Sequence, residues 1–197
     1  MRTALTGLLL IGWLAGAALP ARAEVGLGLE GGYFIPSDKT FREFFKEGMT
    51  EGVSIHLRTR QGFGLLFFAD YYTQTRKFQK ENFRVTSYPV SLQALYYLDE
   101  SPRISPFLAL GISGIWGSEE DLTTGRKIGL AAKVGLGGSA GAEFGPRYWR
   151  VRPYFRWGYN SIPGQEAVQG LNLSGYTIVV GATMNFGKPK KPAKPAP

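Results

Sequence analysis

Between Tyr176 and Phe186 every second residue is apolar: Tyr176, Ile178, Val180, Ala182, Met184 and Phe186. The intervening Thr177, Val179, Gly181, Thr183 and Asn185 are small or polar, Val179 excepted. A period of two belongs to a strand with one greasy and one wet face. In a soluble sandwich the greasy face would meet a second sheet. Here other segments upstream repeat the pattern, and the chain opens with an export signal. Together these features predict strands that touch lipid on one side and a polar lumen on the other.

The export signal reads as follows. Arg2 supplies a positive start, Leu8 to Ala18 an apolar stretch, and Ala21-Arg22-Ala23 a small-x-small cleavage site. A mature chain is expected to begin at Glu24. The apolar stretch is shorter than the roughly 20 residues of a spanning helix, which argues against a membrane anchor. Loss of residues 1–23 removes Arg2 and Arg22 and lowers the formal charge from +8 to +6. No later stretch is long and apolar enough for a transmembrane helix. The 27 glycines and 14% aromatic content suit packed β-structure with aromatic girdles. Cysteine is absent, which excludes disulfides and thiolate metal sites. The basic excess lies largely in the tail and within the expected strands, so nucleic acid is not an expected partner.

Eight strands are expected, and the first three run about 25–34, 51–59 and 63–72. The other five run about 84–98, 104–116, 127–144, 150–159 and 176–186. The third alternates weakly: Leu65, Phe67, Ala69 and Tyr71 oppose Gly64, Leu66, Phe68 and Asp70. Leu130, Ala132, Val134 and Leu136 form the apolar face of the sixth. Turns near Gly62, Pro102 and Pro146 are short, whereas connections near Lys46, Gln79, Asp121 and Gln165 are longer, with loops expected at 73–82 and 118–125. Outer-membrane barrels alternate in this way between periplasmic turns and external loops. A short helix is expected from Ser37 or Asp38 to Lys46, its Phe41, Phe44 and Phe45 either closing the outer mouth or lying on lipid headgroups or a partner. Tyr71, Tyr72, Tyr96, Tyr97, Trp116, Trp149, Trp157 and Tyr159 are placed toward strand ends, as interfacial girdles.

An eight-stranded barrel is just wide enough for side chains to fill. The residues expected inside are Glu30, His56, Arg58, Gln93, Lys133, Glu143, Arg150, Arg152 and Arg156, with Glu30 and Glu143 pairing with some of the arginines. This predicts a plugged polar core. The alternative is a narrow anion-preferring pore, because inward arginines outnumber acids. His56 is the only histidine, but it falls inward between Ser54 and Arg58, where a basic neighbour gives poor support for a general base. No catalytic residue, metal cluster or cofactor is expected. Glu119-Glu120-Asp121 reads as a solvated acidic loop rather than a calcium site, and the Gly-x-Gly segments lack the helix that a nucleotide loop requires. The tail 188–197, rich in Lys and Pro, is expected to be extended and periplasmic, within reach of cell-wall polymer or lipid headgroups.

The signal, the eight alternating segments and a last strand with its aromatic at Phe186 resemble the outer-membrane protein beta-barrel domain family. These are small barrels related to the transmembrane domain of outer-membrane protein A. The resemblance covers Glu24 to Gly187. It implies an all-β, antiparallel, up-and-down barrel in the outer membrane. It also implies that Tyr176, Ile178, Val180, Gly181, Met184 and Phe186 form the assembly signal read by barrel-insertion machinery, with outer-membrane lipid and lipopolysaccharide as surroundings. The expected role is structural or interactive: envelope integrity, adhesion or loop-mediated binding. A narrow channel is the second reading, and a lipid-modifying enzyme or a soluble lipocalin-like barrel rank below it.

Overall fold

The computed structural model describes residues 24–39, 42–43, 46–59, 62–78, 81–98, 103–146, 148–159 and 174–186. The signal segment, the Lys/Pro tail, the aromatic trio Phe41, Phe44 and Phe45, and residues 160–173 lie outside them.

Eight strands close into a barrel in which every neighbouring pair is antiparallel. They are β1 Glu24–Pro36, β2 Gly48–Arg58, β3 Phe63–Phe78, β4 Glu81–Tyr97, β5 Ile104–Asp121, β6 Lys127–Phe144, β7 Trp149–Tyr159 and β8 Gly175–Phe186. Closure joins β1 to β8 from Val25↔Phe186 to Pro36↔Gly175, so no sheet edge is left to satisfy inside a bilayer.

The apolar residues of each strand project outward. On β8 burial alternates without a break: Tyr176, Ile178, Val180, Met184 and Phe186 are exposed, while Thr177, Val179, Thr183 and Asn185 are buried. The same parity exposes Leu27 and Leu29 on β1, Val53 and Ile55 on β2, Leu108, Leu110 and Ile112 on β5, and Phe155 on β7. A soluble protein would hide these side chains; a transmembrane barrel presents them to hydrocarbon. Tyr176 to Phe186 spans ten residue steps, about 33 Å along the strand, which a tilt near 40° reduces to about 25 Å of membrane thickness.

Aromatic rings rim this band. Phe63 and Tyr96 meet at 5.0 Å near the periplasmic end, and Tyr71, Tyr88 and Trp116 form a chain with centroid distances of 5.6 and 6.3 Å near the external end. Tyr72 and Tyr97 are not girdle residues as the sequence reading had them. Both point inward and are 1% and 3% exposed, because each is the second residue of a Tyr-Tyr pair and shares the parity of the inward side chains Phe68 and Leu95 on its strand.

The largest departures from the sequence reading lie above the membrane. Residues 73–78 and 118–121 belong to strands, not loops. β3 and β4 continue to Phe78↔Glu81 with only residues 79–80 between them. β5 and β6 continue to Glu120↔Lys127. External length at these two connections is therefore supplied by projecting β-ribbons. Above the bilayer both faces of a ribbon meet water, so the apolar alternation that marks a strand disappears. In β6 the register also shifts between the partners of Ile115 and Gly117, an irregularity within the span expected to run evenly from Leu130 to Leu136. The β1–β2 connection contains two helical-pattern bonds, Arg42 N–H to Asp38 O at 3.0 Å and Lys46 N–H to Arg42 O at 3.2 Å.

Candidate functional site

The lumen is the most organised polar feature among the described residues, and its ion pairs fall into two layers. In the periplasmic half Glu143, 1% exposed, accepts hydrogen bonds from Arg152 Nε at 3.0 Å and Nη2 at 2.7 Å. Arg150 Nη1 donates to its other oxygen at 3.3 Å, Arg58 approaches that oxygen at 3.9 Å, and the Tyr97 hydroxyl donates at 2.8 Å. Arg150 also donates to Ser105 Oγ at 2.9 Å, and the Arg58 guanidinium lies 4.0 Å above the Tyr97 ring. β6 and β7 place these groups together because Glu143, Arg150 and Arg152 flank one short turn with inward parity.

His56 sits in this layer, 1% exposed, with Nδ1 2.7 Å from Arg152 Nη2. Its ring occupies the space left by Gly26: a Cβ on that glycine would fall 1.9 Å from the His56 ring. The histidine is thus walled off from lipid and faces a guanidinium.

The external half is organised by Arg156. It pairs with Asp70, lies 3.7 Å from Glu30, and stacks 3.8 Å above the Phe68 ring. Glu30 also accepts a 2.6 Å bond from the Tyr154 hydroxyl. Gln93 stands apart and accepts from Ser139 Oγ at 2.8 Å. Lys133, expected within the network, is half-buried opposite Ile115 beside the register shift, and no carboxylate among the described residues reaches it.

The sequence reading missed three members. Asp70 was assigned the correct side of β3 but no role, because the apolar Leu66 and Phe68 beside it obscured the polar face. Tyr97 and Tyr154 supply hydroxyls to the two glutamates. Asp70 adds a carboxylate to Glu30 and Glu143 against Arg58, Arg150, Arg152 and Arg156, which narrows the arginine excess behind the anion-pore alternative.

Above Arg156 a cavity of about 50 Å³ is lined by Thr50, Asp70, Tyr72, Ser87, Ser91 and Thr177 among others. That is room for a few waters, at roughly 10–15 Å³ each. The described residues of the β1–β2 connection are tied to β3 beside it. Tyr72 donates its hydroxyl to Lys46 O at 3.1 Å, Gln74 its amide to Glu47 O at 3.5 Å, and Arg76 its guanidinium to Glu43 O. At the β5–β6 tip, Asp121 accepts from the Thr124 hydroxyl at 2.5 Å and the Thr123 amide at 2.8 Å. These bonds, the hydroxyl's foremost, hold its carboxyl below the ordinary carboxylate range. Glu120 meets Arg84 of the neighbouring β4 at 3.9 Å. Asp121 is therefore engaged in its own hairpin and Glu120 with the adjacent strand, and no group of three or more metal-ligating residues occurs among the described residues.

Comparison with solved structures agrees with this geometry. The outer membrane protein OprG from Pseudomonas aeruginosa superposes with a TM-score of 0.66 at 12% identity, covering 85% of this chain and 98% of that one. The N-terminal β-barrel domain of Pseudomonas aeruginosa OprF gives 0.57 at 14% identity, covering 85% and 100%. Ail, the attachment invasion locus protein of Yersinia pestis, solved with the heparin analogue sucrose octasulfate, gives 0.51 at 12% identity, covering 83% and 97%. No protein-family model and no curated protein sequence matches the chain. Such low identities speak to the fold alone. In fold, the chain is a small eight-stranded transmembrane β-barrel of the outer-membrane kind.

Proposed function

We propose that this protein is an integral outer-membrane barrel whose lumen is a closed strut and whose external ribbons and loops make the functional contacts. The observation that carries the reading is Glu143. A buried carboxylate held by two Arg152 nitrogens, Arg150 and Tyr97 fills the periplasmic half of the lumen with paired side chains, and an eight-stranded barrel is just wide enough for such side chains to close it. The role that follows is structural or interactive, in envelope integrity, adhesion or loop-mediated binding. No catalytic chemistry is proposed, since the single histidine faces Arg152 inside the wall. The external ribbons carry Arg76, Lys77, Arg84, Arg126 and Lys127 among acids, a mixed surface suited to charged partners. Ail's capture of a sulfated ligand gives a precedent within the fold.

Several further assignments belong to the same proposal. Cleavage after Ala23 would start the mature chain at Glu24, and residues 188–197 would lie in the periplasm near cell-wall polymer. Tyr176, Ile178, Val180, Gly181, Met184 and Phe186 would be read by the barrel-assembly machinery, and lipid with lipopolysaccharide would surround the wall. The discriminating experiment is planar-bilayer recording of the refolded protein. A closed strut gives no stable unitary openings. Reproducible anion-selective steps would replace this reading with the channel.

A further inference from the structure

The outer wall is not evenly covered. Cross-strand pairing sets Ile55, Phe67, Leu92 and Ile112 side by side on β2 to β5 as a row of large apolar side chains. Two residues nearer the outside, Val53, Ala69, Val90 and Gly114 form the next row, and all four are small. Beyond them stand Tyr71, Tyr88 and Trp116. The result is a groove of about 560 Å³, lined by Leu29, Val53, Ala69 and Val90, with the three rings as its upper shelf. Its size falls in the range of roughly 300–1,000 Å³ typical of small-molecule clefts.

One lining residue is out of character. Glu51 lies on the outward face between the exposed Met49 and Val53, paired with Gly31 on one side and Tyr71 on the other. A Cβ on Gly31 would meet nothing within 4 Å, so open space adjoins the carboxylate. No ion-pair partner reaches Glu51 among the described residues. A carboxylate on a lipid-facing wall is tolerated near the interface but not at the midplane, and the Tyr71 row sets it at the interface. There it can be met by water or by a donor on a neighbouring lipid.

We propose that this groove binds one molecule of an outer-leaflet saccharolipid, an amide-linked, hydroxylated acyl glucosamine of the lipid A type. One acyl chain lies in the groove, and an N–H or O–H at the base of the headgroup donates to Glu51. The chemistry selects this occupant. A carboxylate accepts hydrogen bonds and repels phosphate, so it needs a donor at the depth where chains join the headgroup. Glycerophospholipids present only ester acceptors at that depth, their ammonium or glycerol donors lying beyond the phosphate, whereas amide and hydroxyl groups of an acylated sugar supply donors where the chains join it. The inference rests on the membrane placement proposed above.

The test is site-specific photocrosslinking in vesicles of phosphatidylethanolamine and phosphatidylglycerol containing lipid A. A photoreactive residue replaces Val53 in the groove, or Ile178 on the wall outside it, and heat-modifiable gel migration confirms folding of each variant. The expected result is a lipid A adduct at position 53 about tenfold richer than at 178, the factor given by one charge-assisted bond near 1.4 kcal/mol. Glu51→Ala should reduce it to the level at 178. Equal adducts at both positions, indifference to Glu51→Ala, phospholipid in place of lipid A, or a crosslink to a second copy of the chain would each overturn the inference and leave the membrane placement standing. Absence of any lipid adduct at both positions in a folded protein would overturn both.

Discussion

Replacement of Glu143 by alanine tests the lumen directly. In the native barrel this carboxylate, 1% exposed, takes two hydrogen bonds from Arg152, one each from Arg150 and Tyr97, and the charge of Arg58. Alanine removes the carboxylate at the centre of the periplasmic layer and leaves Arg58, Arg150 and Arg152 around the gap. Removing one side of a buried pair costs about 3–5 kcal/mol, mainly through the charge left uncompensated. With a urea slope near 2 kcal/mol/M, a loss of about 4 kcal/mol lowers the unfolding midpoint by about 2 M. The assay is urea unfolding in lipid vesicles followed by tryptophan fluorescence. Glu143→Gln keeps an acceptor of the same shape and should lose about half as much, because it forfeits charge but not every bond. The double variant Glu143→Ala with Arg152→Ala should cost less than the two single losses added together, since these residues share one interaction. It should also open conductance steps that the native protein lacks. A Glu143→Ala barrel within about 0.5 kcal/mol of native stability would refute the reasoning, as that is the range of an ordinary surface change.

Further outcomes follow from other contacts. Gly26→Ala drives a methyl into the His56 ring and should cost about 1–3 kcal/mol, with His56→Ser restoring most of it, measured by the same unfolding assay. Tyr72→Phe combined with Arg76→Ala removes two of the three ties on the β1–β2 connection and should hasten trypsin cleavage at Arg42 or Lys46 without altering barrel migration on gels. Asp121 organises the β5–β6 tip as a carboxylate whose folded-state value is depressed, so its contribution is present above the ordinary carboxylate range and is lost as pH falls through the lowered value. Amide exchange at Thr123 and Thr124 should accelerate on that descent, and Asp121→Ala should show the fast rate at every pH.

The alternation of β8, β7 and β1 was legible from residue order alone, because all three carry large apolar residues outside, against mainly short polar residues or glycine inside β8 and β1 and arginines inside β7. Parity then placed Glu30, His56, Arg58, Glu143 and the three arginines of β7 in the lumen. Three features did not follow from that pattern. β3 packs Leu66, Phe68 and Tyr72 inside, since a lumen this narrow is filled partly by apolar bulk. Its two faces therefore look alike in sequence, and Asp70 escaped notice. The projecting ribbons carry polar residues on both faces, as strands in water do, and read as loops. The register shift in β6 inserts a residue without any change in composition, and no periodicity argument resolves one residue. Where strands cross the bilayer, the physics writes a strong signal; above it, the hydrogen-bond ladder persists without one.

The claim beneath all of this is that the two faces of each strand meet different media. The chain contains no cysteine, so single-cysteine variants carry one label each. Fluorophores attached at positions 155, 178 and 180 of the refolded protein should be quenched strongly by brominated acyl chains and little by aqueous iodide. Labels at positions 152 and 183 should escape the lipid quencher. Reversal of that pattern, with 178 and 180 shielded from lipid and 152 open to water, would contradict the account.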